Sequence, residues 1–250
     1  MKICVISFDF WNYDGHIVQE LRRQNIDAQH INFGAFQHKN GAARTVNALS
    51  KIFLGKNLKD QNRQKYIIDT IRRLGHQDQI LVINPELISL EAHAVIRALT
   101  DKYIAYLYDS TARRPVQHMI EFFDEIYSFD RKDVATYGFK HITNYNYLPE
   151  HRCATSAEYD LVYLASLDNR LQAAQKIASI LDKFGKKCLF TIVGKRSWQK
   201  NLLKTFDKDD TTTIRYSNVK VENNQLPDYY HGRVILDLVR NEQTGISFRI

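Results

Sequence analysis

Residues 79–84, QILVIN, and residues 103–108, YIAYLY, decide the fold together with the segment between them, LEAHAVIRAL at 90–99. The two outer runs are short, continuous and apolar, and they are rich in β-branched and aromatic residues. That is the pattern of strands buried on both faces. Pro85 stops the first run, and Ser89 and Glu91 mark the start of the helix between the two. Strand, helix and strand in this order form a βαβ unit, whose strands run parallel.

The alternation extends both ways. Before it, Lys2–Phe8 reads as a strand and Gly15–Asn25 as a helix with Ile17, Val18 and Leu21 on one face. Ala28–Phe33 reads as a strand, and Thr45–Leu54 and Gln61–Leu74 as helices. After it come a helix at Val116–Phe123 behind Pro115, a strand at Glu125–Phe129, a helix at Lys132–Tyr137 and a strand at His141–Leu148. Pro149–Tyr159, PEHRCATSAEY, is polar and reads as a linker. The pattern then restarts: a strand at Asp160–Ala165, an amphipathic helix at Asn169–Phe184 closed by Gly185, and a strand at Cys188–Val193. A helix at Ser197–Phe206, a strand at Thr212–Tyr216, a short helix at Leu226–His231 and a strand at Arg233–Val239 complete the series. The expected fold class is α/β, with two Rossmann-like, doubly wound parallel-sheet domains at 1–150 and 151–250. The last residues, Thr244–Ile250, read as a turn opening a helix, so the second domain is expected to be incomplete and the sequence truncated.

Composition narrows the function classes. The 250 residues are 44% hydrophobic and 25% charged, with 10 Gly and 4 Pro, which excludes a disordered or collagen-like chain. Three distant cysteines, Cys4, Cys153 and Cys188, form no disulfide framework and suit a reducing compartment. No run approaches the roughly 20 apolar residues of a membrane span, and the N-terminal run is too short for a signal peptide. A cytoplasmic protein is expected. Of the formal +7, most lies in the last hundred residues, where 16 Lys and Arg face 11 Asp and Glu. Such an excess favours anionic partners. The basic residues are dispersed, without an aromatic-interleaved basic motif, so nucleic acid is not the expected partner.

Motifs exclude more than they assign. The loop after the first strand, Asp9–Gly15, holds one glycine where a dinucleotide fingerprint needs three. There is no phosphate-binding GxxxxGK[ST] and no GxSxG elbow. His141, His151 and Cys153 lack metal-ligand spacing, and no metal site is expected. Three loops at strand ends remain. Ala165–Arg170 leads into the amphipathic helix, where free N–H groups, the helix dipole and Arg170 would make an anion site; the other possibility is that Asp168 or Asn169 caps the helix and Arg170 is solvated. Gly194, Lys195 and Arg196 follow another strand, as a phosphate contact or an ordinary turn. Arg240–Ser247 is a third loop, rich in hydrogen-bonding groups.

The stretch Leu226–Ile250, with paired Tyr229 and Tyr230 and the run Gln243-Thr244-Gly245-Ile246-Ser247-Phe248-Arg249, resembles the nucleotide-sugar-binding region of bacterial GT-B glycosyltransferase-like proteins of lipopolysaccharide and capsular polysaccharide assembly. In that family a Q-x-G-x-S-x-R stretch opens a helix bearing a glutamate, and this chain stops where that helix would begin. The resemblance implies an acceptor-side first domain and a second domain that holds a nucleotide-linked sugar as substrate, with no cofactor and no metal. It places Arg170, Gly194 and Lys195 at the diphosphate, and Gln243, Thr244, Gly245 and Ser247 around sugar and phosphate. Losing one such contact would raise the barrier by roughly 2–4 kcal/mol. The base for the acceptor hydroxyl would come from the first domain. Asp9, Asp14 and His16 follow the first strand, and Asp109 and Ser110 follow the Tyr103–Tyr108 strand; Asp109 and His16 are the choices, against a turn cap for the one and a surface histidine for the other. Thr111–Arg114 either steers an acidic acceptor or is an exposed charged turn. A glycan or lipid-linked acceptor, a homodimer or peripheral membrane association through an uncovered apolar flank, and a non-catalytic assembly subunit as the alternative complete the expectations.

Overall fold

Apolar runs in parallel strands leave each sheet with two greasy faces, and the helices between strands must cover both. A computed structural model of the chain, which describes residues 1–9, 13–36, 57–143, 157–194, 199, 201, 211–218, 229 and 231–239, has this architecture. The chain divides into two compact units, one within residues 1–143 and the other within 157–239 of the described chain. The expected boundary at residue 150 lies outside the described residues.

The first unit holds a six-stranded, all-parallel sheet. Its strands are β1 (Lys2–Ser7), β2 (Asp27–Asn32), β3 (Gln77–Ile83), β4 (Thr100–Leu107), β5 (Glu125–Ser128) and β6 (Lys140–His141). Its helices are α1 (Asp14–Arg23), α2 (Leu58–Leu74), α3 (Leu90–Arg97) and α4 (Arg131–Tyr137). Spatial order is β2-β1-β3-β4-β5-β6. Alternate residues sort to opposite faces. Cys4, Ile6, Ile80, Val82, Tyr103 and Ala105 pack against Ile67 and Ile71 of α2 and Ala92 and Ile96 of α3. Val5, Ile83 and Tyr106 meet Val18, Ile17 and Leu21 of α1. Each fully buried isoleucine contributes about 1.5–3 kcal/mol relative to an exposed one.

Capping explains the helix starts. Asn57, Ser89 and Asp130 each accept a backbone N–H of the first turn of α2, α3 and α4. Two expectations are corrected. Val116–Phe123 is not an α-helix; only Gln117–Phe122 winds, as a 3-10 helix, because Pro115 precedes it and β5 starts at Glu125. The strand expected over His141–Leu148 is the two-residue β6, with residues 144–148 outside the described set.

The second unit holds the parallel order β10-β7-β8-β9, from β7 (Tyr159–Ser166), β8 (Cys188–Val193), β9 (Thr212–Ser217) and β10 (Gly232–Ile235). The helix α5 (Leu171–Asp182) lays Ala174 and Ala178 on Tyr163, Ala165, Phe190 and Ile192. Gly185, at φ 62°, turns the chain out of this helix. β10 ends four residues before the expected Val239. The helices expected at Thr45–Leu54, Ser197–Phe206 and Leu226–His231 fall on residues that are wholly or almost wholly outside the described set.

One tight approach yields a prediction. A Cβ on Gly34, just after β2, would overlap the backbone oxygen of Phe8. Backbone cannot swing aside as a side chain can. Gly34→Ala is therefore expected to destabilise the first unit by about 3 kcal/mol. Gly75→Ala faces open space and should cost about 2 kcal/mol, from its backbone conformation alone, φ 72° and ψ −160°. Urea denaturation of the two variants checks the contrast.

Candidate functional site

In a doubly wound sheet, ligands bind beyond the carboxyl ends of the strands where the strand order reverses. In the first unit that reversal lies between β1 and β3. Each strand is followed there by a non-glycine residue in the left-handed region, Asp9 at φ 47° two residues after β1 and Asn84 at φ 56° just after β3. Asp and Asn tolerate this conformation best, and such strain gathers at functional sites.

A polar network fills the β1 side of this edge. Asp9 accepts the Asp14 backbone N–H through Oδ1 (3.1 Å) and the Asn32 amide through Oδ2 (3.4 Å). Asp14 opens α1 and is only 2% exposed. Its Oδ1 accepts the Tyr108 hydroxyl at 2.5 Å, and the Ser7 hydroxyl also donates to it. With the Ser7 hydrogen given to Asp14, the 2.9 Å contact of Ser7 Oγ with His30 Nε2 is a donation from the imidazole. Burial pushes the Asp14 carboxyl up to about 6; the Tyr108 and Ser7 hydrogen bonds pull it down in part, and the nearby Asp9 charge pushes it up further. Burial also holds His30 below its usual value, against the charge of Asp9.

The β3–β4 side carries charge. Glu86 is pushed up by burial and by the charge of Asp109, while Arg114 and an Asn84 hydrogen bond of 3.2 Å pull the other way. Asp109 is paired with Arg113 four residues on. The turn bearing both arginines is anchored from beneath. Buried Asp133 accepts the Thr111 N–H (2.9 Å), the Thr111 hydroxyl (2.6 Å) and the Ser128 hydroxyl (3.2 Å). His16 stands half-buried on the first turn of α1. Tyr108 and Glu86 are the residues that the structure adds; Asp14, named on sequence beside the chosen Asp109 and His16, is the one of the three that it buries.

In the second unit the reversal lies between β7 and β10. Arg170 occupies the N-cap position of α5 there. Its guanidinium forks onto Asp168, with Nε at 2.9 Å and Nη2 at 2.7 Å from the two oxygens, and its Nη1 donates to the Leu238 carbonyl at 3.0 Å. The side chain is 11% exposed. Arg170 is thus not the solvated alternative: it ties the loop after β7 to the chain leaving β10. Gly194 follows β8, and the space a Cβ would take there is held by the Tyr216 hydroxyl. Lys195, Gln243, Thr244, Gly245 and Ser247 lie outside the described residues. Among the described residues no group of three or more His, Cys, Asp or Glu side chains is arranged to hold a metal, and no helix is long and apolar enough to cross a membrane.

Arg170→Met keeps most of the stem and removes the fork. It should destabilise the ligand-free second unit by about 2–3 kcal/mol, since Asp168 loses its partner and the Leu238 carbonyl its donor. Urea unfolding reads this directly, and an unshifted midpoint would show that the fork does no internal work.

No family model matches the chain, and no curated protein matches it. Solved structures do. A putative UDP-N-acetylglucosamine 2-epimerase from Listeria monocytogenes aligns at TM-score 0.52 with 8% identity, over 94% of this chain and 74% of that one. The UDP-GlcNAc 2-epimerase from Neisseria meningitidis, bound to UDP-GlcNAc, aligns at 0.51 with 11% identity, over 94% and 76%. A glycosyltransferase from Rickettsia africae aligns at 0.46 with 11% identity, over 94% and 72%. At these identities the likeness is one of fold: two Rossmann-like parallel-sheet domains of the GT-B type, the second smaller.

Proposed function

We propose that the chain is a glycosyltransferase that moves a sugar from a nucleotide-diphosphate donor to a hydroxyl acceptor. The first unit serves the acceptor and the second the donor. The observation that carries this reading is a buried carboxyl, Asp14, that accepts the Tyr108 hydroxyl at the strand-order reversal of the first sheet and is pushed up by burial to about 6. A group so poised takes up a proton efficiently at cellular pH. In the second unit the α5 N-terminus and Arg170 stand at the reversal, and the Leu167 N–H to Val193 carbonyl bond of 2.8 Å ties the same loop to the end of β8, surroundings that suit a diphosphate. Departure of the nucleotide would rest on these side chains and amides rather than on a metal. The resemblance over Leu226–Ile250 points to an acceptor in lipopolysaccharide or capsule assembly, which would put the protein in the cytoplasm or at the inner face of the plasma membrane.

A second reading, a non-catalytic glycosyltransferase-like assembly subunit, is favoured by one observation. The Arg170 guanidinium is committed to Asp168 and Leu238 and would have to leave them to meet a diphosphate. Such a subunit would transfer no sugar with any donor and would co-purify with a partner chain.

A thermal-shift screen against UDP, GDP, ADP, CMP and UDP-GlcNAc tests the proposal; the last is included because one of the similar structures holds it. One nucleotide is expected to stabilise the chain, by about 2.7 kcal/mol at a hundredfold excess over its dissociation constant. No response to any at millimolar concentration would contradict a donor site.

A further inference from the structure

We propose that Tyr108 and Asp14 form a proton relay, in which the Tyr108 phenol meets the acceptor hydroxyl and the Asp14 carboxylate behind it takes the proton. The identity of the hydroxyl rests on the sugar-transfer reading; the relay itself is defined by the first unit alone.

Asp14 is 2% exposed, so a bound acceptor reaches it through a neighbour. Tyr108 is that neighbour: half-buried, one residue past the end of β4, at the edge where ligands bind, with its hydroxyl 2.5 Å from Asp14 Oδ1. The carboxylate is held from the other sides by Ser7 at the end of β1 and by the Asp9 contact to its own backbone N–H. The titratable groups that bear on it are Asp9 after β1, Tyr106 of β4, Tyr108 just after it, and His30 of β2 through Ser7, with Arg22 of α1 acting on His30. Asp109, next in sequence to Tyr108, is turned to a different task by its pairing with Arg113.

The step balances. The acceptor O–H bond breaks as the phenol oxygen takes that proton, and the phenol O–H breaks as Asp14 Oδ1 takes the other. The acceptor oxygen forms its bond to the sugar carbon, and the bond from that carbon to the diphosphate oxygen breaks, its electron pair leaving with the nucleotide.

The first unit also contains a control. Tyr127 donates to Glu125 at 2.8 Å, a second phenol–carboxylate pair. There hydrogen bonds from Lys140, Tyr127 and Lys102 pull the carboxyl down to about 2, which makes it a poor base.

The relay is tested without any substrate, by labelling the full chain with an aryl sulfonyl fluoride and locating adducts by peptide mass spectrometry. Attack of the phenol oxygen on sulfur expels fluoride, and the phenol proton passes to the carboxylate. Tyr108 is expected to react at least tenfold faster than Tyr127, at a rate that rises with pH through about 6 and follows the ionisation of Asp14. Asp14→Asn should abolish this advantage, and Tyr108→Phe should remove the adduct. Equal rates at Tyr108 and Tyr127, no adduct at Tyr108, or a rate independent of pH between 5 and 7 in the wild type would each overturn the relay. The wild-type pH series decides even where Asp14→Asn fails to fold. A reactive Tyr108 with no nucleotide bound would leave the relay standing and remove the sugar-transfer reading. An inert Tyr108 with a nucleotide bound would do the reverse.

Discussion

Asp14→Asn is expected to make the first unit more stable than wild type at neutral pH, by about 1–3 kcal/mol, while removing its proton acceptor. The sign follows from linkage. The folded carboxyl titrates at about 6 against 3.8 for the ordinary side chain, so the folded state holds a proton that the unfolded state has lost. Its contribution to stability is therefore full below 3.8 and is lost as pH rises through 6, a difference of about 3 kcal/mol at 1.36 kcal/mol per unit. Asparagine stays neutral and still accepts from Tyr108. The gain should grow between pH 4 and 6 and stay level above that range.

A second buried group titrates in the same range with the opposite sign. His93, fully buried on α3, gives its Nε2 hydrogen to the Pro85 carbonyl (3.0 Å), since a carbonyl can only accept, and accepts the Tyr103 hydroxyl at Nδ1 (2.7 Å). Burial lowers it from 6.5 to about 4, so stability falls as pH drops through that window. In the wild type the two slopes oppose each other. Asp14→Asn removes the opposing slope and leaves those of His93 and His30, so the variant should lose more stability than the wild type between pH 6.5 and 4. Urea midpoints across this range check it; a variant less stable than wild type at pH 7.5 would count against a strained, ionised Asp14.

Asp133→Ala is expected to cost about 3–5 kcal/mol. Asp133 is 4% exposed and accepts from the Thr111 N–H, the Thr111 hydroxyl and the Ser128 hydroxyl. Alanine leaves those donors buried without an acceptor, at about 1–3 kcal/mol for each stranded group. Asn keeps one acceptor oxygen and should lose about half as much. Because the turn from Ser110 to Arg114 hangs on Thr111, the loss should also loosen the two arginines at the β4 edge. Urea denaturation gives the stability cost, and faster amide exchange across residues 109–114 gives the loosening. A change under 1 kcal/mol would show that the turn is held by something else.

The strands were legible because parallel strands buried on both faces write themselves as continuous apolar runs, as in β3 and β4. The Asn169–Phe184 helix was legible from its single apolar face. The misreading at 116–123 has a physical cause. Val116, Met119, Ile120 and Phe123 keep helical spacing, yet a 3-10 turn places residues three apart on one side just as well, and the short distance to β5 favours it. Of the site, the loops were legible but the partners were not. Asp14 reads in sequence as one of several acids after the first strand; only folding brings it to Tyr108, 94 residues away, and burial then moves its titration. Arg170 shows the converse. A cation at a helix start suggests a bound anion, and in the fold it first meets Asp168, two residues before it.

The central claim is that a nucleotide diphosphate seats at the strand-order reversal of the second sheet. Hydrogen–deuterium exchange with and without UDP, and with GDP and ADP in parallel, tests it most directly. The account predicts slowed exchange, for one of these nucleotides, in peptides covering residues 165–172 and 191–194. Protection confined to the first unit, or none with any nucleotide at millimolar concentration, would contradict it.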